Sequence, residues 1–248
     1  MTDNFGHSLV AHRGFSSLYP ENTLLSVETA LQLGACYVEI DVHLSADKIP
    51  LVIHDPNLQR TAGKAANVMD LTYAQLKEFS VHEPKRFGEK YFPQPIARLH
   101  DVVELLHRYP GRHLFVEAKR ASIRRFGIQV FLRAIAPVIE TCQDRCVLIS
   151  FDNELLSAAK QQHLSPIGWV FENWEEQSYR IMEGLQPEYL FTDHQMAPAA
   201  LPPGPWRWAV YTIEDAELAL QWFHKGADLV ETNSFGALIQ HPDLNIHC

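Results

Sequence analysis

The chain has 248 residues, 46% hydrophobic and 21% charged, an ordinary globular composition with material for one large core. Its formal net charge of -9 excludes non-specific nucleic-acid binding, which needs a basic surface, although local cations can still hold a small anionic substrate. The opening MTDNFGHSLVAHRG has no basic segment leading into a long apolar run, and no apolar stretch approaches the roughly 18 residues of a membrane span, so a cytoplasmic protein without stable membrane insertion is expected.

In chain order, SLVAHRG (8–14) predicts a first strand and NTLLSVETALQLG a first helix, with Asn22 near its start and Gly34 near its end. YVEIDVHL (37–44) alternates strictly, so it predicts a strand with Glu39, Asp41 and His43 on one face. Residues 55–98 are too long for a simple connector and rich in charge, with one helix expected over DLTYAQLKEF (70–79). Beyond them, strands are predicted at HLFVEAK (113–119), CVLISF (146–151), PIGWVF (166–171), YLFTD (189–193), RWAVYTI (207–213) and DLVETN (228–233). Helical patterns lie at LHDVVELLHRY, FGIQVFLRAIAPVIETC, NELLSAAKQQH, WEEQSYRIMEGL and EDAELALQWFHKG, with Asn153 and Glu214 near starts and Gly184 and Gly226 near ends. The link APAALPPGPW is proline-rich and carries at most a helical turn. Cys36, Cys142, Cys146 and Cys248 form no CxxC pair, so neither a disulfide framework nor a zinc site is expected.

Eight strands alternating with helices in one chain point to an α/β fold, a (β/α)8 TIM barrel of one domain (1–248) with a small insertion after the second strand, at about 55–98. An open doubly wound sheet fits the alternation nearly as well. A homo-oligomer stays open.

Barrel enzymes take their chemistry from the carboxyl ends of strands. Read in order, those ends offer His12 and Arg13, then Glu39 and Asp41, then Glu117 and Lys119. Neighbouring carboxylates repel and are costly to bury unpaired. A hard divalent cation, Mg²⁺ or Ca²⁺, is the natural partner of such an oxygen set. The competing reading is plain salt bridging, Glu117 with Lys119 or Glu39 with Arg13. Of the 13 histidines, His7, His82, His107, His163, His224, His241 and His247 read as solvated, whereas His12 and His54 close apolar runs and suit acid–base roles. His43 has the parity to join them or to lie beyond the site. Phe15, Tyr19, Phe151 and the Trp206/Trp208 pair read as core, while Trp169 and Tyr211 stand at strand ends where they can pack against substrate.

AHRGFSSLYPENT (11–23) followed by EIDVHLSADKIPLVIHDPNLQRTAG (39–63) closely resembles the signature of glycerophosphodiester phosphodiesterases, which carry HRG, PENT, ExD and HD in this order. VEAK (116–119) is similar to their later ExK element, and LISFD, VYTIED and GADLVETN to weaker downstream blocks. The resemblance covers nearly the whole chain and implies a (β/α)8 barrel with an insertion after the second strand. It implies Glu39, Asp41 and Glu117 as metal ligands, His12 and His54 as the acid–base pair, and Arg13 and Lys119 as phosphate contacts. The implied activity is metal-dependent hydrolysis of small-molecule glycerophosphodiesters, such as glycerophosphocholine or glycerophosphoethanolamine, to sn-glycerol 3-phosphate and an alcohol. Rival readings are a lysophospholipase D-type enzyme and a non-catalytic barrel that binds phosphate esters. Asn22 and Thr23 are read mainly as caps of the first helix. Arg98, His100, Tyr211 and Asn233 depart from the family's usual residues.

Overall fold

The computed structural model describes residues 8–164 and 166–244; His7, His247 and Cys248 lie outside them. The chain runs through β1 (Ser8–His12), α1 (Leu24–Gln32), β2 (Tyr37–Leu44), β3 (Pro50–Val52), α2 (Gln59–Ala62), α3 (Tyr73–Leu76), α4 (Pro84–Phe87) and α5 (Leu99–His107). It continues through β4 (His113–Ala118), α6 (Arg120–Phe126), α7 (Ile128–Ile139), β5 (Cys146–Ser150), α8 (Asn153–Gln161), β6 (Ile167–Phe171) and α9 (Glu176–Leu185). It ends with β7 (Tyr189–Asp193), β8 (Arg207–Tyr211), α10 (Ala216–His224), β9 (Leu229–Thr232) and α11 (Phe235–Leu238).

Eight of these strands form a closed parallel barrel, because β1 pairs with both β2 and β9. The ninth, β3, is antiparallel and extends the far end of β2, with Val42 opposite Val52 and Leu44 opposite Pro50. A parallel barrel strand is covered on both faces, which is why these strands read as nearly continuous apolar runs. Inside, Val10, Phe115, Val147, Ile149, Val170 and Phe191 fill the lumen. Phe115 packs edge-on against Phe191 with ring centroids 5.0 Å apart. Gly168 is required here, since a Cβ on it would lie 2.8 Å from Ile149 Cγ2. Outside, Val38, Ile40, Leu114, Val116, Leu148 and Val210 meet the helices.

The register decides where chemistry can gather. His12 is level with Glu39, and Asp41 with Glu117, so the polar residues of three neighbouring strands occupy two successive inward-facing levels at the carboxyl rim. The segment after β3 is pinned by its own apolar cluster, which includes Leu58, Val68, Met69, Leu76, Val81 and Ile96.

Several expectations are corrected. The helix foreseen over 70–79 is only the four-residue α3, because Thr72 has an extended backbone (ψ 158°) and caps it by accepting from Gln75 N. His82 is buried, 2.8 Å from Ser80 Oγ and edge-on to Phe92, not solvated. The long apolar helix begins at Ile128, and a separate α6 precedes it across Gly127, whose φ of 86° breaks the run. Gly184 stands one residue before the end of α9, as expected, although the left-handed C-cap is Gln186 (φ 46°). Helices α8 and α10 are capped by Asp152, one position before Asn153, and by Asp215, one position after Glu214. Cys142 and Cys146, four residues apart, are joined by a disulfide.

Phe115→Ala removes a fully buried ring from the lumen and should cost about 3–5 kcal/mol. Urea unfolding checks this; a loss below about 1 kcal/mol would show that the lumen is not a packed core.

Candidate active site

At the carboxyl end of the barrel lies a cavity of about 230 Å³ over the lumen residues Ile149, Val170 and Phe191. One wall carries His12, Arg13, His54, Glu117, Lys119 and, on the strand beside His12, Glu231; the other carries Phe151 and Tyr211. A larger groove of about 440 Å³ runs between α8 and α9, but its only ionisable lining residue is Lys160. The ionisable residues singled out from the sequence therefore gather at the smaller cavity.

Glu39, Asp41 and Glu117 each present an oxygen, and these oxygens lie within 4.8 Å of one another. Asp41 is fully buried and the most heavily tied. Its Oδ2 accepts from Asn22 Nδ2 at 2.7 Å and lies 3.1 Å from Arg13 Nε, while Lys119 Nζ stands 2.6 Å from Oδ1. The Asp41 amide in turn donates to Asn22 Oδ1 at 3.0 Å. Burial alone would raise this carboxyl, but Lys119 and Arg13 together outweigh it and hold it well below the usual range. Lys119 also reaches Glu117 Oε1 at 2.7 Å. Glu117 is nonetheless raised, because burial exceeds what Lys119 offsets. Glu39 accepts from Arg13 N through Oε2 at 3.1 Å, whereas its buried Oε1 has no hydrogen-bond partner among the described residues. Burial, then Asp41 and Glu231, push its carboxyl well up. Clustering and salt bridging thus coexist: the three carboxylates gather, and Asp41 and Glu117 are salt-bridged.

The turn between β1 and α1 is shaped for this. Arg13 and Asn22 both have φ of 56°, a left-handed conformation that asparagine tolerates and arginine rarely adopts. Asn22 N donates to Arg13 O at 3.0 Å, locking the two strained residues together. Gly14 (φ 77°) passes so close to α1 that a Cβ would lie 2.5 Å from the Ser26 carbonyl carbon. Thr23 caps α1, its side chain accepting from Ser26 N. Asn22 is therefore not a cap but the clamp of Asp41, which reverses the emphasis expected from sequence.

The two histidines are oriented differently. His12 Nδ1 lies 2.8 Å from Asn233 Oδ1, and Asn233 Nδ2 donates to Glu214 Oε1 at 2.7 Å, so the amide oxygen faces the imidazole. His12 thus carries its proton on Nδ1 and turns the Nε2 lone pair towards Glu231 Oε1, 3.6 Å away. Burial, assisted by Arg13, lowers its pKa to about 4. His54 Nδ1 instead pairs with Asp55 Oδ1 at 2.7 Å. Asp55 continues to Arg60 Nε at 2.6 Å, and Arg60 grips Glu21 at 2.7 and 2.8 Å. Glu21 then meets Arg13 Nη1 at 3.1 Å, so one ionic chain links His54 to Arg13.

His43, left open from sequence, has a structural task. Ser122 Oγ lies 2.8 Å from His43 Nδ1, and His43 Nε2 donates to the His54 carbonyl at 3.0 Å. It anchors the strand end that presents His54. Tyr211 lines the cavity, but Trp169 does not; it stacks on Phe171 at 5.1 Å. Arg98 is paired with Asp101, and His100 is exposed, away from the cavity lining. Sequence reasoning passed over Glu231, Glu21, Asp55 and Arg60. Glu231 had a signal: it is an acidic residue at the carboxyl end of an apolar strand, the same cue that selected Glu39 and Glu117.

Residues 12–120 match the glycerophosphoryl diester phosphodiesterase family. A glycerophosphodiester phosphodiesterase of Caldanaerobacter subterraneus is 38% identical over 170 residues, 66% of each chain. One from Bacillus altitudinis is 35% identical over 151 residues, so the alignment spans 60% of this chain and 60% of that relative's length. Among solved structures, a phosphodiesterase from Oleispira antarctica in complex with the product sn-glycerol 3-phosphate superimposes with a TM-score of 0.82 at 26% identity, covering 96% of this chain and 97% of that one.

The raised carboxyls set a pH dependence. Glu231 is pushed up to about 8 by burial and by Glu117. The folded chain thus keeps protons that the unfolded chain has lost, so stability falls as pH rises through the folded value. His12 and His43, both lowered to about 4, act in the opposite sense only below their unfolded value of about 6.5. In chelator, the urea midpoint should therefore fall between about pH 7 and 8.5, and less steeply in Glu231→Gln. A midpoint that rises across that window would contradict the assignment.

Proposed function

The chain belongs to the glycerophosphoryl diester phosphodiesterase family, and on that premise we propose that it hydrolyses glycerophosphodiesters, such as glycerophosphocholine or glycerophosphoethanolamine, to sn-glycerol 3-phosphate and an alcohol. The observation that carries this reading is one small cavity holding two cations, two differently oriented histidines and a buried carboxylate cluster.

Glu39, Asp41 and Glu117 are the proposed ligands of one divalent cation, Mg²⁺ or Ca²⁺. The fit rests on an all-oxygen donor set and on Glu39 Oε1, a buried acceptor without a hydrogen-bond partner. When bound, the ion supplies Lewis-acid stabilisation of the charge on the phosphate oxygens. Arg13 and Lys119 bind the same oxygens and share that task. Their ties to Asp41 and Glu117 also keep both cations fixed before substrate arrives.

The histidine environments divide the proton transfers. His12 is neutral with its Nε2 lone pair facing the cavity, so it takes the proton of the attacking hydroxyl. His54 has a carboxylate on Nδ1 to support an imidazolium, so its Nε2–H protonates the departing alkoxide. The first nucleophile is a neighbouring hydroxyl of the glycerol moiety. Its oxygen displaces the alcohol to give a cyclic phosphate, which water opens with the two histidines exchanging roles. Among the described residues, no helix is long and apolar enough to cross a membrane, and the proposed substrate is a small diester.

Glycerophosphocholine incubated with Mg²⁺, Ca²⁺ or chelator should release glycerol 3-phosphate only with a cation; no release with any metal would sink the reading. His12→Ala should lower kcat by about 10²-fold or more with circular dichroism unchanged. Near-normal turnover would remove His12 from proton transfer. An analogue lacking the vicinal hydroxyl should resist cleavage, and its cleavage at the normal rate would exclude the cyclic route.

A further inference from the structure

Glu231 takes no part in the proton transfers or the carboxylate cluster, yet it is built into the cavity wall. It lies on β9, with Leu229 two residues earlier packed in the lumen, so its side chain rises from the same inner face. It is 5% exposed. Among the described residues its carboxylate makes no hydrogen bond, and its one ion-pair neighbour is His12 Nε2 at 3.6 Å. The charges that bear on it most are Glu117 and Asp41, of its own sign. A carboxyl that faces the cavity without a protein hydrogen bond keeps its hydrogen-bonding capacity for what enters the cavity.

We infer that Glu231 binds the free hydroxyls of the substrate's glycerol moiety and so selects a polyol ester over a simple alkyl one. This inference rests on the glycerophosphodiester reading above. Charge excludes the other parts of such a substrate. An ammonium head would share a cavity of about 230 Å³ with Arg13 and Lys119, which repel it. A phosphate oxygen is drawn to those same cations and so away from Glu231. Hydroxyls are neutral, and each both donates and accepts. Burial beside Glu117 and Asp41 pushes the Glu231 carboxyl up to about 8, and a hydroxyl suits either protonation state. The distance to His12 gives the placement meaning. A hydroxyl held by Glu231 lies next to the hydroxyl that His12 deprotonates, as two neighbouring carbons of glycerol require.

The test measures binding in Mg²⁺ of sn-glycerol 3-phosphate and of propyl phosphate, which lacks both hydroxyls, by titration calorimetry. Wild type should prefer glycerol 3-phosphate by at least about tenfold, since a site built around hydroxyls rejects the analogue without them. Glu231→Leu should shrink the ratio to below about threefold, and Glu231→Gln should lower it at least about threefold. The glutamine variant decides alone if the leucine variant does not fold. A ratio unchanged in both variants, or no preference in wild type, overturns the inference. So does a variant that keeps the glycerol preference but loses affinity only for glycerophosphocholine against glycerophosphoglycerol, which would make Glu231 an ammonium site. Wild-type release of glycerol 3-phosphate is assayed on the same preparation. Its absence strikes the proposed activity, whereas the binding ratio still reports on Glu231.

Discussion

Asp41 sits fully buried in the barrel wall, and the surrounding structure is organised around keeping it charged there. An isolated carboxylate at that depth would be driven to its neutral form. Lys119 comes from the end of β4, Arg13 from the turn after β1, and Asn22 from the start of α1. Each is tied to a second partner, Glu117, Glu21 and the Arg13 carbonyl respectively. The left-handed backbone at Arg13 and Asn22 exists so that both can face Asp41 from one turn. Removing any one of them leaves a buried charge short of a partner, which is far more costly than losing a surface ion pair.

From this centre the two halves of the cavity acquire different characters. On the side of β1, β2 and β4, carboxylates and cations interleave at hydrogen-bond distance. On the side of β5 to β8, Ile149, Phe151, Val170, Phe191 and Tyr211 exclude water and strengthen the electrostatics opposite. The segment after β3 completes the rim through Arg60, which fastens Asp55 to Glu21 and so couples the His54 loop to the turn that carries Arg13. Arg86 adds a second tie by donating to the Ser16 carbonyl at 2.7 Å.

The strand positions were legible because a parallel barrel demands apolar runs of nearly uniform length, and each run in this chain is bounded by polar residues. Alternation alone does not separate open from closed sheets, so the expected barrel leaned on the resemblance of the HRG, PENT, ExD and HD elements, and the pairing of β1 with both β2 and β9 bears it out. Glu39, Asp41 and Glu117 could be grouped because alternation fixes their faces. The role of Asn22 could not, because a helix-start asparagine and a carboxylate clamp look alike until the left-handed turn brings residue 22 against residue 41. His43 has the parity of Glu39 and Asp41, but β3 folding back over the end of β2 covers it and turns it into a support for His54. Local pattern also overestimated α3, where a threonine with extended backbone outweighed the helical period.

The proposal at the centre is one cation site around Asp41, assembled by two neighbouring strands, with Glu39 and Asp41 on β2 and Glu117 on β4. Calorimetric titration of Mg²⁺ and Ca²⁺ into chelator-treated protein tests it most directly, with Asp41→Asn alongside. The native protein should bind one ion per chain and the variant at least about tenfold more weakly, as loss of a charged ligand entails. Equal binding by the two proteins, or none by the native chain, would contradict it.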